Sequence, residues 1–203
     1  MIITGLHQTS PERFRVCFED GTEIRTTLGV IADLRLFQGK DLDEEQIEDF
    51  RIRSVRSLML EKSIEMLSRR QMSCKELRDN LMRKGTDADT AEYCSAKLVG
   101  MGLMDDSAYA SSLARHYASR GYGAGKVRAE LSRRGISRAL WDDALDEIKA
   151  DSDRLDSLVR AKLTDPDDRE QVRKVSAALF RRGYSWEEIR SALRRYNTEP
   201  EDY

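Results

Sequence analysis

The chain has 203 residues, 39% of them apolar and 35% charged, with a net charge of −2. Ordinary globular domains run nearer ~45–50% apolar and ~25% charged, so thin helical layers fit this composition better than one large core. The charge balance argues against a constitutive nucleic-acid binder, two histidines leave almost no material for a His-based metal site, and three scattered cysteines argue against a disulfide framework.

Residues 2–27 alternate as strands do. Phe14, Val16 and Phe18 point one way, while Arg13, Arg15, Cys17 and Glu19 point the other. Asp20-Gly21 has the composition of a two-residue hairpin turn with positive φ at both positions. The return strand is Thr22–Thr27 with Ile24 inward, and Met1–His7 can supply a third strand. A short helix is predicted around Leu28–Phe37. A long one starts at Asp43, where Asp43 and Gln46 have the spacing of a capping box. Residues 1–50 hold 5 cations and 11 carboxylates. This acidic head either tunes contacts or caps the end of a helical array.

From residue 70 onward one unit recurs three times. Gly85, Gly135 and Gly183 are each preceded by two cations: Arg83-Lys84, Arg133-Arg134 and Arg181-Arg182. Leucine stands four residues before each glycine (Leu81, Leu131, Leu179), and Leu77, Val127 and Val175 stand eight before. That i, i+4 stripe is a buried helix face. Asp87, Ser137 and Ser185, two residues after each glycine, are N-cap types for the next helix. Ala91/Cys94, Trp141/Ala144 and Ile189/Ala192 supply its apolar face. Glycine at this position satisfies the last carbonyls of the first helix, and cations there complement its dipole. Ser73/Glu76 and Ser185/Glu188 have capping-box spacing. Preceding helices over 52–70, 105–119 and 152–163 complete three three-helix units. The predicted organisation is a mainly α protein: a β-hairpin head with a short helix (1–42), then repeats at 43–101, 102–149 and 150–203, forming a short curved solenoid that ends in an acidic tail, Asn197–Tyr203.

Charge follows the repeat. Residues 51–84 carry 10 cations and 4 carboxylates, residues 111–140 carry 7 and 1, and residues 171–196 carry 7 and 2. A charge run is ordinarily a solvated face, and dipole compensation explains one or two cations per helix end. Blocks this large exceed that need and suit a polyanion or an acidic protein groove.

Other constellations carry less. Gly121-Tyr-Gly-Ala-Gly-Lys126 lacks phosphate-loop spacing and reads as a flexible turn. Asp105-Asp106 reads as a helix start rather than a metal pair. Tyr109, Tyr117, Trp141 and Trp186 are expected in cores. A helix-turn-helix DNA reader is disfavoured because the cations end the first helix instead of starting the second. No catalytic grouping, metal site or cofactor motif stands out. No run has membrane-spanning length and no signal-peptide pattern opens the chain, so the expectation is a soluble, cytoplasmic monomer.

Several stretches together resemble the RecX family of bacterial regulators of the RecA recombinase. They are Ser73-Cys-Lys-Glu-Leu77 with Leu81-Met-Arg-Lys-Gly85, Gly102-Leu-Met-Asp-Asp-Ser-Ala-Tyr-Ala110, Arg120-Gly-Tyr-Gly-Ala-Gly-Lys-Val-Arg-Ala-Glu-Leu131 with Gly135-Ile136, and Phe180-Arg-Arg-Gly-Tyr-Ser-Trp-Glu-Glu-Ile189. Leu103-Met104 departs from the family's usual pair. The resemblance implies a non-enzymatic modulator that binds the RecA–DNA filament and restrains recombinase, ATPase and co-protease activities. Direct binding to DNA without RecA is the alternative. On charge, the expected contact residues are Arg83, Lys84, Arg120, Tyr122, Lys126, Arg128, Arg133, Arg134, Arg181 and Arg182. Reversing Arg133 and Arg134 together is expected to weaken binding while leaving helicity nearly unchanged.

Overall fold

Alternating apolar residues at the start of the chain build an antiparallel sheet of three strands, β1 (Ile3–Ser10), β2 (Arg13–Phe18) and β3 (Glu23–Thr27), in the order β1-β2-β3. Val16 lies opposite both Leu6 and Ile24, and with Phe18 it is buried. The β2–β3 connection differs from the expected two-residue turn. Gly21 N–H donates to the Phe18 carbonyl at 3.0 Å, Phe18 N–H donates to Thr22 at 2.9 Å, and only Gly21 has positive φ. This is a three-residue loop closing with a glycine bulge. Asp20 serves it through its side chain, accepting from the N–H and hydroxyl of Thr22.

The computed structural model describes residues 1–149 and 152–198, which form two compact units: Met1–Met72 with Glu76–Met104, and Ser73–Lys75 with the chain from Asp105 onward. The end of the expected acidic tail, residues 199–203, falls outside the described residues.

In the first unit, α1 (Leu28–Asp33) stops earlier than expected. Arg35 takes a left-handed φ of 49°, and Leu36 N–H returns to the Ile31 carbonyl. α2 (Glu44–Arg69) begins at the expected cap, with Asp43 accepting from Gln46 N–H and Gln46 Oε1 accepting from Asp43 N–H. Its first turns join Ile3, Val16, Phe18, Val30, Ile31, Leu36 and Leu42 in one core through Ile47 and Phe50. Farther along, Ser54 donates to Thr26 at 2.9 Å, Ser57 and Thr27 share a 2.6 Å hydrogen bond, and Arg13 pairs with Glu61. The hydroxyl pairs satisfy polar groups that the sheet–helix contact takes from water. α3 (Cys74–Arg83), which belongs to this unit from Glu76 onward, and α4 (Ala88–Gly100) follow, and Asp87 caps α4 by accepting from Thr90 N–H at 2.7 Å.

In the second unit, α5 (Asp106–Ser119), α6 (Ala124–Arg133) and α7 (Trp141–Lys149) enclose Tyr109, Leu113, Val127, Leu131, Ile136, Ala144 and Leu145. The helices α8 (Ser152–Lys162), α9 (Arg169–Arg181) and α10 (Trp186–Thr198) enclose Leu155, Val159, Leu163, Val175, Leu179, Tyr184, Ile189 and Ala192. The i, i+4 stripes read from the sequence are the buried faces. Asp105 caps α5 by accepting from Ser107 and Ala108 N–H, so it marks a helix start as expected. Ser185 and Glu188 form the expected capping box. Ser137 departs from its expected role: it precedes a 3₁₀ turn (Arg138–Leu140) and makes no side-chain cap hydrogen bond. Trp141 closes that corner instead, donating Nε1–H to the Ile136 carbonyl.

Candidate partner-binding surface

The three dibasic turns share one backbone geometry. Gly85, Gly135 and Gly183 have φ of 90°, 67° and 92°. In each, the glycine N–H and the next N–H return to carbonyls of the last helical turn, as in Thr86→Leu81, Ile136→Leu131 and Tyr184→Leu179. These are Schellman caps, and the leucine that accepts the longer bond is the buried stripe leucine itself. Gly102 and Gly121 close α4 and α5 in the same way, a signal the sequence reading missed because no cation pair marks them.

In the second unit the turns are docked. Gly123 N–H donates to the Arg182 carbonyl and Gly125 N–H to the Gly183 carbonyl, both at 2.9 Å. The open donors of α6 thereby meet the open acceptors of α9. Ser73 and Arg134 make the equivalent contact, the Ser73 hydroxyl donating to the Arg134 carbonyl at 2.6 Å, while Asp106 accepts from Cys74 N–H. The glycine-rich run 121–126 is therefore a packed helix start and not the flexible turn expected of it. A side chain at Gly123 would put its Cβ 2.6 Å from the Gly183 carbonyl oxygen.

This docking splits the predicted contact residues into two groups. Arg134 is only 20% exposed; its Nε donates to Glu130 at 2.7 Å and another guanidinium nitrogen donates to the Tyr109 hydroxyl. Arg133, 69% exposed, also pairs with Glu130. Hydrogen bonds from Arg133, and after it Arg134, hold the Glu130 carboxyl down to about 2 against the opposing effect of burial. Arg182 donates to the carbonyls of Arg120 and Gly121 and lies over the Tyr122 ring at 5.6 Å. Tyr122 in turn packs edge-on against Tyr117. Arg134, Arg182 and Tyr122 are thus committed within the unit, so reversing Arg134 together with Arg133 would disturb the Glu130 pairing as well as any contact with a partner.

The remaining cations face solvent. Arg120, Lys126, Arg128 and Arg181 are exposed, and among the described residues none of the four pairs with a carboxylate. Lys126, Arg128 and Arg181 line one cleft of about 450 Å³ with Phe180, Tyr184 and one carboxylate, Glu188. In the first unit, Arg83 and Lys84 are exposed, and Arg83 donates to Asn80. Trp186 also departs from expectation. It is 49% exposed and stacks on Phe180, itself 49% exposed, with ring centroids 4.9 Å apart. Phe180 directly follows the stripe residue Leu179, which puts it off the buried face; that offset was the sequence signal for it.

Tandem three-helix units, each with a dibasic turn between its second and third helices, define a modular helical-repeat protein. Models of the first, second and third RecX three-helix domains match residues 60–98, 105–145 and 153–193. The chain is 36% identical over 138 residues to the regulatory protein RecX of Stenotrophomonas maltophilia strain K279a, covering 66% of this chain and 85% of that one. Against the regulatory protein RecX of Xanthomonas axonopodis pv. citri it is 32% identical over the same shares. This chain belongs to the RecX family. Two crystal structures share the fold: a regulatory protein RecX with TM-score 0.77, 24% identity and coverage of 96% of this chain and 98% of that one, and RecX from Lactobacillus salivarius with TM-score 0.64, 22% identity and coverage of 71% and 97%.

Proposed function

We propose that this protein is a non-enzymatic regulator that binds the RecA–DNA filament and restrains its recombinase, ATPase and co-protease activities. The observation that carries this reading, beside family membership, is the cleft where Lys126, Arg128 and Arg181 are exposed and, among the described residues, form no ion pair, against one lining carboxylate, Glu188. Cations in excess of what the fold uses suit an acidic nucleoprotein surface. Restraint needs no chemistry, only a difference in affinity between filament states. The same reading takes the protein as a cytoplasmic monomer.

A strand-exchange assay with RecA tests it. The triple variant Lys126→Glu, Arg128→Glu, Arg181→Glu is expected to lose inhibition while its helicity by circular dichroism stays that of the wild type. Undiminished inhibition by a folded triple variant would overturn the reading. Direct DNA binding through the same cleft is the second reading, favoured by the exposed rings of Phe180 and Trp186 beside it.

A further inference from the structure

The Phe180–Trp186 pair is out of place for a brace alone. The turn between α9 and α10 is already secured by a Schellman cap at Gly183, by the Ser185–Glu188 capping box, and by burial of Tyr184 and Ile189 on either side of the cap. That last pair has the spacing of a hydrophobic staple. Two large rings stacked at 18° nevertheless remain half in water on the same turn. Two rings exposed side by side make a contiguous apolar patch, a feature that marks contact surfaces.

The surroundings specify the occupant. Phe180 lines the cleft that holds Lys126, Arg128 and Arg181. Arg190, exposed and one turn beyond Trp186, donates Nε–H to the Trp186 carbonyl. Two carboxylates stand against them: Glu188 is engaged by Ser185 N–H, and Glu187 is exposed. Cations therefore outnumber carboxylates around an open π surface. The carboxylates of an acidic peptide would match the charge, but covering the rings would need an apolar side chain in register with them. A duplex would hide its base faces from them. An unpaired nucleotide strand matches both, because its bases stack on rings while its phosphates meet the cations.

We propose that the Phe180–Trp186 pair is a stacking platform for unpaired bases of single-stranded nucleic acid, with Lys126, Arg128 and Arg181 holding the adjoining phosphates. This deepens the reading above and rests on it, since it names what the cleft touches when the protein meets a nucleoprotein filament.

The test uses the full chain and an oligothymidylate probe without RecA. The chain has two tryptophans, and Trp141 is tied to the Ile136 carbonyl. A Trp141→Phe background therefore isolates Trp186 fluorescence, which oligothymidylate is expected to quench. Trp186→Ala is expected to weaken binding about 5- to 150-fold, the range of one lost base stack, with the salt dependence unchanged. Lys126→Gln with Arg181→Gln is expected to lower the salt slope instead. If Trp186→Ala loosens the turn, Phe180→Leu and Trp186→Leu keep apolar bulk without a ring, and both are expected to show the same loss. No quenching, or affinity within twofold of wild type in folded ring variants, overturns the platform. Ring variants that keep oligothymidylate binding but lose inhibition of RecA make the patch a protein contact, which also overturns it. Failure of the platform with inhibition still dependent on Lys126, Arg128 and Arg181 leaves the proposed function standing.

Discussion

The N–H of Gly123 donates to the carbonyl oxygen of Arg182 at 2.9 Å, so the start of α6 sits directly on the end of α9. No Cβ fits in this joint. One built at Gly183 would lie 2.2 Å from the Lys126 nitrogen, whereas one at Gly85, with nearly the same φ, meets nothing within 4 Å. Gly85→Ala is expected to cost about 1 kcal/mol, the conformational penalty alone. Gly183→Ala is expected to cost more than about 3 kcal/mol, because backbone must also move. Urea unfolding of the two variants measures the difference, and equal losses would contradict the close approach.

Glu130 is expected to make stability depend on pH in the acid range. Its carboxyl sits at about 2 in the folded protein, below the ordinary 4.5, because Arg133 and Arg134 hydrogen-bond the charged form. A depressed folded value means the contribution is fully present above pH ~5 and fades as pH falls from there toward 2. Its size is on the order of 3 kcal/mol. Glu130→Gln should flatten the stability-versus-pH curve over that window, and an unchanged acid limb would refute the assignment.

The two cations of the second dibasic turn are expected to behave differently. Arg134→Glu puts a carboxylate beside Glu130 and removes a donor to the Tyr109 hydroxyl. A loss of about 3 kcal/mol is expected from breaking a largely buried pair. Arg128→Glu, on an exposed side chain without a carboxylate partner among the described residues, should stay within about 0.5 kcal/mol of wild type. Thermal melts compare them, and only the second belongs in a binding experiment.

Arg35 holds the left-handed position that ends α1, with φ 49°. Arginine there pays a steric penalty of about 1–2 kcal/mol that glycine avoids, partly offset by the greater unfolded freedom of glycine. Arg35→Gly is expected to stabilise the protein by about 0.5–1 kcal/mol in denaturant titration. Destabilisation beyond 1 kcal/mol would mean that the Arg35 side chain does more than its geometry indicates.

Local chemistry was legible without coordinates. Leu81, Leu131 and Leu179 announced their buried faces by spacing, Asp43 and Ser185 announced helix starts, and the glycines after each cation pair announced helix ends, because each rule acts within a few residues. The ten cation and tyrosine positions were legible only as a set. Whether a guanidinium points at water or at a carbonyl far along the chain depends on which helix end meets which. Arg134 and Arg182 resemble Arg133 and Arg181 in sequence, yet the first two hold their turns while Arg181 faces an open cleft. Arg35 bent a helix end without a glycine, and Phe180 with Trp186 left the core for the surface. The sequence by itself determined the repeats and their surplus of positive charge; tertiary packing decided which of those charges the fold consumes and which remain for a partner.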